Sequence, residues 1–187
     1  MKIRLTLALC VLTSPVFATD FCHDLWWTRN ALIDRAGYCF GSTLGKAAFD
    51  NAGCTGKSVN LSARASQKVA QIKELEARNS CRVNTKSTSL FIDDLATRRR
   101  LVDLPVRDET ESSCIGFRAP SVALRAGIGT QHAVTYQVRQ GDSVLYSHFD
   151  EGGWLYVVAY SSDGSVHGAG WMASEAIGFN DCRNWAG

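Results

Sequence analysis

Apolar residues recur with a helical period in the first part of this chain and alternate with polar ones in the last part. That change of period, near residue 113, is the strongest constraint on the fold. From Asp24 to Ala36, Leu25, Arg29, Leu32 and Ala36 share one helical face, which Trp26 and Ile33 widen. Gly37 stands where a left-handed cap would end such a helix. Ser42 can cap a short second helix through Phe49, with Asn51 and Gly53 ending it. Asn60 can cap a third, in which Leu61, Ala65, Val69, Ile72 and Leu75 form an apolar stripe and Glu74 and Arg78 an i,i+4 pair; Asn79 ends it. A short helix around Leu90–Leu101 is expected from Phe91, Leu95 and Val102.

From Cys114 onward the period is two. Val134, Tyr136 and Val138 alternate with polar residues, as do Val144 and Tyr146, and then Trp154, Tyr156, Val158 and Tyr160. Gly141-Asp142, Gly152-Gly153 and Asp163-Gly164 punctuate these runs as turns. Strands this short predict a small barrel. The division expected is a leader at 1–18, a helical domain at 19–82, a junction at 83–112 and a barrel at 113–187.

The first 18 residues read as an export leader. Lys2 and Arg4 precede an apolar run from Leu5 to Val11, Pro15 breaks it, and cleavage is expected between Ala18 and Thr19. The run is too short for a membrane span, which needs about 20 apolar residues, and Leu9 stands where a lipoprotein site at Cys10 would want a small residue. No stable membrane insertion is expected; the destination is periplasmic or extracellular. Without Lys2 and Arg4 the 20 Lys+Arg fall to 18, equal to the 18 Asp+Glu. A neutral chain lacks the basic face of an electrostatic nucleic-acid binder, so no such partner is expected. Arg98-Arg99-Arg100, flanked by Asp93, Asp94 and Asp103, reads as a solvated segment.

Beyond the leader stand Cys22, Cys39, Cys54, Cys81, Cys114 and Cys182. An even number in an oxidising space implies three disulfides. No Cys or His pair has zinc-ligand spacing, so neither metal nor cofactor is expected. If three helices run up, down and up, parity favours Cys22–Cys54 with Cys39–Cys81, leaving Cys114–Cys182. A local Cys39–Cys54 loop is the rival.

Motifs for catalysis are missing. There is no Gly-x-Ser-x-Gly, Ser-x-x-Lys or His-Glu-x-x-His, and bridged cysteines provide no thiolate nucleophile. His148-Phe149-Asp150-Glu151 reads as a solvated hairpin end. Asn51-Ala52-Gly53-Cys54-Thr55-Gly56-Lys57-Ser58 imitates the end of a phosphate-binding loop, but Asn51 replaces its first glycine and a helix precedes it. Arg29 lies on the apolar face of the first helix and needs an ion pair or a carbonyl clamp there, with Asp34 and Arg35 nearby. Trp26 and Trp27 are adjacent, so one should be partly exposed or covered by the second domain.

Two resemblances add to this. Ala123-Leu124-Arg125-Ala126-Gly127-Ile128-Gly129-Thr130, Gln140-Gly141-Asp142-Ser143-Val144, Gly152-Gly153-Trp154-Leu155-Tyr156-Val157 and Gly170-Trp171-Met172 resemble, in order and spacing, the blocks of a bacterial SH3-like domain. Ile128 replaces that family's usual Pro, and Ser161–Ala169 is longer than its distal segment. The stretch Thr28 to Phe40, with Leu44, Phe49 and Ile72-Lys73-Glu74-Leu75-Glu76, resembles a YARHG-type extracellular domain, although Asp34-Arg35-Ala36-Gly37 lacks its histidine. Together the halves look like an exported bacterial family of unknown function. They imply an α+β chain, a small disulfide-linked helical domain followed by an SH3-like β-barrel. By the same resemblance the barrel would bind cell-wall peptide or glycan, or an envelope protein, in an aromatic groove of Trp154, Trp171, Tyr136, Tyr156 and Tyr160. The alternative is an interaction or inhibitor protein for another exported protein. A hydrolase is the least favoured reading.

Overall fold

The computed structural model describes residues 17–187, and its architecture is α+β. Most of the expected leader, Cys10 included, lies outside the described residues; Ala18 and Thr19 stand in the first turn of α1. The helices are α1 (Phe17–Asp34), α2 (Thr43–Phe49), α3 (Ala63–Arg78) and α4 (Leu95–Arg98). The strands are β1 (Arg107–Phe117), β2 (Val122–Arg125), β3 (Val134–Val138), β4 (Ser143–His148), β5 (Trp154–Tyr160), β6 (Val166–Ala173) and β7 (Cys182–Ala186). None of the described helices is long and apolar enough to cross a membrane.

Local signals place the helix ends. Gly37 takes φ +91° just past α1, a left-handed conformation that a side chain would strain, and a Cβ there would strike Thr55 Oγ1 at 2.6 Å. Ser42 Oγ accepts from Gly45 N at 3.1 Å at the start of α2, and Asn79 N donates to Leu75 O at the end of α3. The cap of α3 is Ser62, two residues after the expected Asn60, because its hydroxyl meets the free amide of Ala65 at 3.2 Å. Arg78 does not pair with Glu74. It reaches across to Glu109 of β1 at 2.9 Å, and Asn79 holds the same carboxylate.

The disulfides are Cys22–Cys81, Cys39–Cys54 and Cys114–Cys182. The pairings Cys22–Cys54 and Cys39–Cys81 are therefore overturned, and the local rival holds. Parity assumed three helices of similar reach, but α2 has only seven residues and does not cross the bundle. The segment around it folds back on itself: Tyr38 bridges Gly56, and Cys39 N donates to Gly56 O at 2.7 Å. The helical half is thus an antiparallel α1–α3 hairpin. It is stapled at its open end by Cys22–Cys81 and part-way along by Arg29 and Glu76, whose bonds measure 2.9–3.1 Å.

All seven strands join one antiparallel sheet in the order β3-β2-β6-β5-β4-β1-β7. The sheet is not closed, which corrects the expected barrel: β3 and β7 stand at its two edges and are not paired with each other. β1 also begins at Arg107, inside the stretch expected to be a junction. The central strands are covered on both faces. Val157, Ala159 and Met172 pack with Cys114, Phe117, Leu124, Val138, Val144 and Cys182 on one side. On the other, Tyr156, Val158, Ala169 and Trp171 pack under Trp26, Trp27, Leu44, Leu101 and Leu104. Both adjacent tryptophans are buried, 7% and 2% exposed, because α1 is enclosed by α2, the 90s segment and the sheet at once. A third cluster, Leu25, Ile72, Leu75 and Val106, ties the helical hairpin to the start of β1.

Candidate functional site

The expected aromatic groove does not assemble. Tyr156 and Trp171 are fully buried, facing each other across β5 and β6 beneath the helices. Trp171 Nε1 donates to Asp103 O at 2.8 Å, and Tyr156 Oη donates to Asp94 at 2.5 Å. Trp154 and Tyr160 lie on the same face of β5, half-buried against that cluster. Tyr136 sits on the opposite side of the sheet, bonded through its hydroxyl to Asp142 at 2.9 Å beside His167. An amphipathic strand pattern marks which residues share a face. It does not reveal that another part of the chain covers that face.

What the fold does bring together is a set of charges at the seam between its halves. Arg98, 1% exposed, is surrounded by carboxylates. Its Nη1 and Nη2 each donate to Asp24 at 2.6 Å, and its Nε donates to Asp94 at 2.8 Å. Its guanidinium also lies 5.5 Å from the centre of the Tyr156 ring. The four-residue α4 sets Asp94 and Arg98 one turn apart, and α1 presents Asp24 to the same fork. A guanidinium buried in this way is stable only with its donors filled: the three charge-assisted bonds, one to His148 Nε2 at 2.7 Å and a longer one to Thr28 Oγ1 at 3.5 Å account for all five N–H groups.

Burial by itself would raise the Asp24 carboxyl, but Arg98, which donates to both of its oxygens, outweighs it and holds it well below the usual carboxylate range. Burial would lower Arg98, and Asp24 with Asp94 drive it well above its ordinary value instead. Burial, then Asp94, pushes Tyr156 far up, so it remains a phenol that donates. His148 is pushed down, chiefly by burial and then by Arg98 beside it. It is therefore the neutral imidazole whose Nε2 accepts from Arg98 Nη2 at 2.7 Å, leaving Nδ1–H to donate to Ser147 Oγ at 3.2 Å.

A cavity of about 170 Å³ opens above this network. Asp24, Asp94 and Arg98 form its floor, Arg107 and Glu111 of β1 one wall, and Phe91, Asp93 and Tyr160 its rim. Arg107 is the unusual group. Its side chain is 17% exposed, yet only Nη2 forms a hydrogen bond, to Glu111. Nη1 comes no closer than 4.0 Å to Asp24, and Nε is buried with no partner. Burial lowers its pKa, partly opposed by Asp24. Tyr160 is pushed up to about 12 by burial and by Asp93, whose carboxylate it approaches at 3.5 Å.

Other singled-out residues serve the framework. Arg29 has its ion pair, with Glu76, and Arg35 is a carbonyl clamp on Leu101 and Val102 at 2.7 and 2.8 Å. Burial and the nearby Asp50 raise the pKa of Asp34. His148 and Arg98 are buried where solvated segments were expected, because the 90s segment folds under the helices. Glu151 pairs with Lys68 at 2.6 Å and with Arg64 at 2.9 Å, tying α3 to the β4–β5 turn. In the loop that imitates a phosphate cradle, Asn51 turns inward to both backbone groups of Phe40 at 2.7 and 2.9 Å, and Cys54 is bridged. Among the described residues no group of three or more His, Cys, Asp or Glu side chains is placed to hold a metal ion. The seam is not legible along the sequence. Its one legible trace is the i,i+4 spacing of Asp94 and Arg98, since the partners Asp24, Arg107 and His148 are remote in sequence.

Comparison with family models finds two matches that meet near residue 80. One, described as a domain of unknown function (DUF4453), covers residues 80–187. The other, the YARHG domain, covers residues 6–77. Comparison with curated proteins and with solved structures returned no match.

Proposed function

We propose that this chain, which belongs to the DUF4453 family, is an exported, non-enzymatic binding protein of the bacterial cell envelope that takes cell-wall peptide at the seam cavity. The observation carrying the reading is Arg107: a largely buried guanidinium lining a cavity, whose Nη1 forms no hydrogen bond. A guanidinium N–H so placed is a ready donor to a carboxylate from outside the chain. Export is supported by the three disulfides and the YARHG match. Binding is favoured over catalysis because the six described cysteines are all bridged and His148 is committed to Arg98 and Ser147.

The test is retention of the oxidised protein on purified peptidoglycan sacculi. Wild type should be retained, and an Arg107→Met variant that keeps its disulfides should wash through. Equal retention of both would remove the cavity from the reading, and no retention of wild type would remove the wall. Trp171→Ala, which the resemblance alone would suggest, is unsuitable because that indole is fully buried.

A protein partner is the second reading. It is favoured by Phe179, 78% exposed and stacked on Trp185 next to the edge strand β7. Loss of partner capture in Phe179→Ser, with sacculus retention absent in wild type, would move the weight there.

A further inference from the structure

We infer that the seam cavity is a site for a small zwitterion, an α-amino acid or the amino-acid end of a peptide branch, with its carboxylate on Arg107 and its ammonium at the Asp93–Glu111 side. This rests on the binding reading above and names the ligand chemistry for it.

Two features of the lining together select that class. The first is Arg107 Nη1, which forms no hydrogen bond at the cavity wall. A guanidinium N–H so placed matches a carboxylate, which accepts a charge-assisted bond from it. The second is the charge balance. Asp24, Asp93, Asp94 and Glu111 face only Arg98 and Arg107, and His148 beneath them is neutral. A simple anion reaching Arg107 would enter a net negative space and be repelled. A simple cation would suit that field but leave the guanidinium unfilled. A molecule carrying both charges on neighbouring atoms meets both demands.

The free partners lie in the right places. Asp24 and Asp94 are consumed by Arg98, so they set the field without offering acceptors. Asp93 is exposed, and its nearest side-chain donor is the Tyr160 hydroxyl at 3.5 Å. Glu111 is 41% exposed and holds Arg107 through one oxygen, leaving the other for an ammonium. Phe91 and Tyr160 stand at the rim as apolar and aromatic walls. The volume, about 170 Å³, has room for several water-sized groups, as a small amino acid requires.

The test uses the full chain recovered with its disulfides formed, titrated with glycine, both enantiomers of alanine, and lysine. Acetate and methylamine serve as single-charge controls. The readouts are the thermal unfolding midpoint and calorimetric titration. At least one amino acid should raise the midpoint by about 2 °C or more at saturation, while neither control does. Arg107→Met and Asp93→Asn should each weaken that binding by ~10-fold or more. Asp93 is exposed, so its variant tests the site even if Arg107→Met does not fold.

Acetate matching the amino acids would overturn the inference in favour of an anion site, and methylamine matching them in favour of a cation site. Absence of binding by all of them, or unchanged binding in Asp93→Asn, would overturn it outright. The source of the zwitterion is read by competition. Displacement from sacculi by the free amino acid supports a wall-borne end in this same cavity. Amino-acid binding without any sacculus retention supports a free amino acid, and then the wall reading fails while the site stands.

Discussion

Arg98 shows how far one residue's role depends on company that its neighbours in sequence do not reveal. It belongs to a run of three arginines between aspartates, the composition of a solvated loop, and Arg99 and Arg100 are indeed exposed. Arg98 alone turns inward, where Asp24 and Asp94 fill its donors. Arg98→Met would leave two carboxylates buried without a counter-charge, and the expected loss is about 3–5 kcal/mol in urea unfolding. Adding Asp24→Asn and Asp94→Asn should recover part of it, since the uncompensated charges cause most of the cost. An unchanged unfolding midpoint in the single variant would mean that the network contributes no stability.

His148 makes this a pH-dependent joint. Its folded pKa lies below the unfolded value of about 6.5, so below that pH the unfolded chain binds the extra proton. Stability should be level well above that value and fall as pH drops through it, with a slope of at most about 1.4 kcal/mol per pH unit, until the folded imidazole is protonated too. Asp24, whose folded pKa is depressed, contributes stability that is present above its unfolded value and is lost only at more acidic pH. His148→Gln should flatten the fall between pH 7 and 5 in unfolding titrations. A slope unchanged in that variant would place the proton elsewhere.

At the scale of elements, the helices were largely legible because their ends are local events. Ser42, Gly37 and Asn79 act through backbone groups within a few residues, and those contacts form wherever the helix lies. The disulfides were not legible in the same way. Pairing depends on which loop ends meet, and that depended on α2 being too short to span the hairpin. The two helical-half bridges close spans of 59 and 15 residues. On loop-closure entropy, replacing Cys22 and Cys81 by Ser should cost about 4 kcal/mol and replacing Cys39 and Cys54 about 3 kcal/mol. Non-reducing peptide maps should recover Cys22 linked to Cys81. A Cys22–Cys54 peptide would overturn the hairpin arrangement.

At the scale of the whole molecule, the helical and sheet halves are two by composition and one by packing. The outer face of β5 and β6 is the floor on which α1, α2 and the 90s segment rest, so neither half has a complete core alone. The same packing converts Tyr156 and Trp171 from candidate ligand contacts into interior residues, and it creates the seam at which Arg107 is left with unfilled donors.

The change from helical to extended backbone, the caps at Gly37, Ser42 and Asn79 and the need for three disulfides were determined by sequence alone, because each follows from residues close along the chain or from a simple count. Which cysteines pair, whether the sheet closes, which face of it is dry and where Asp24, Asp94, Arg98, Arg107 and His148 meet were decided only by tertiary structure. These depend on contacts between segments tens of residues apart, and the energy of a charge or an aromatic ring is set by what surrounds it.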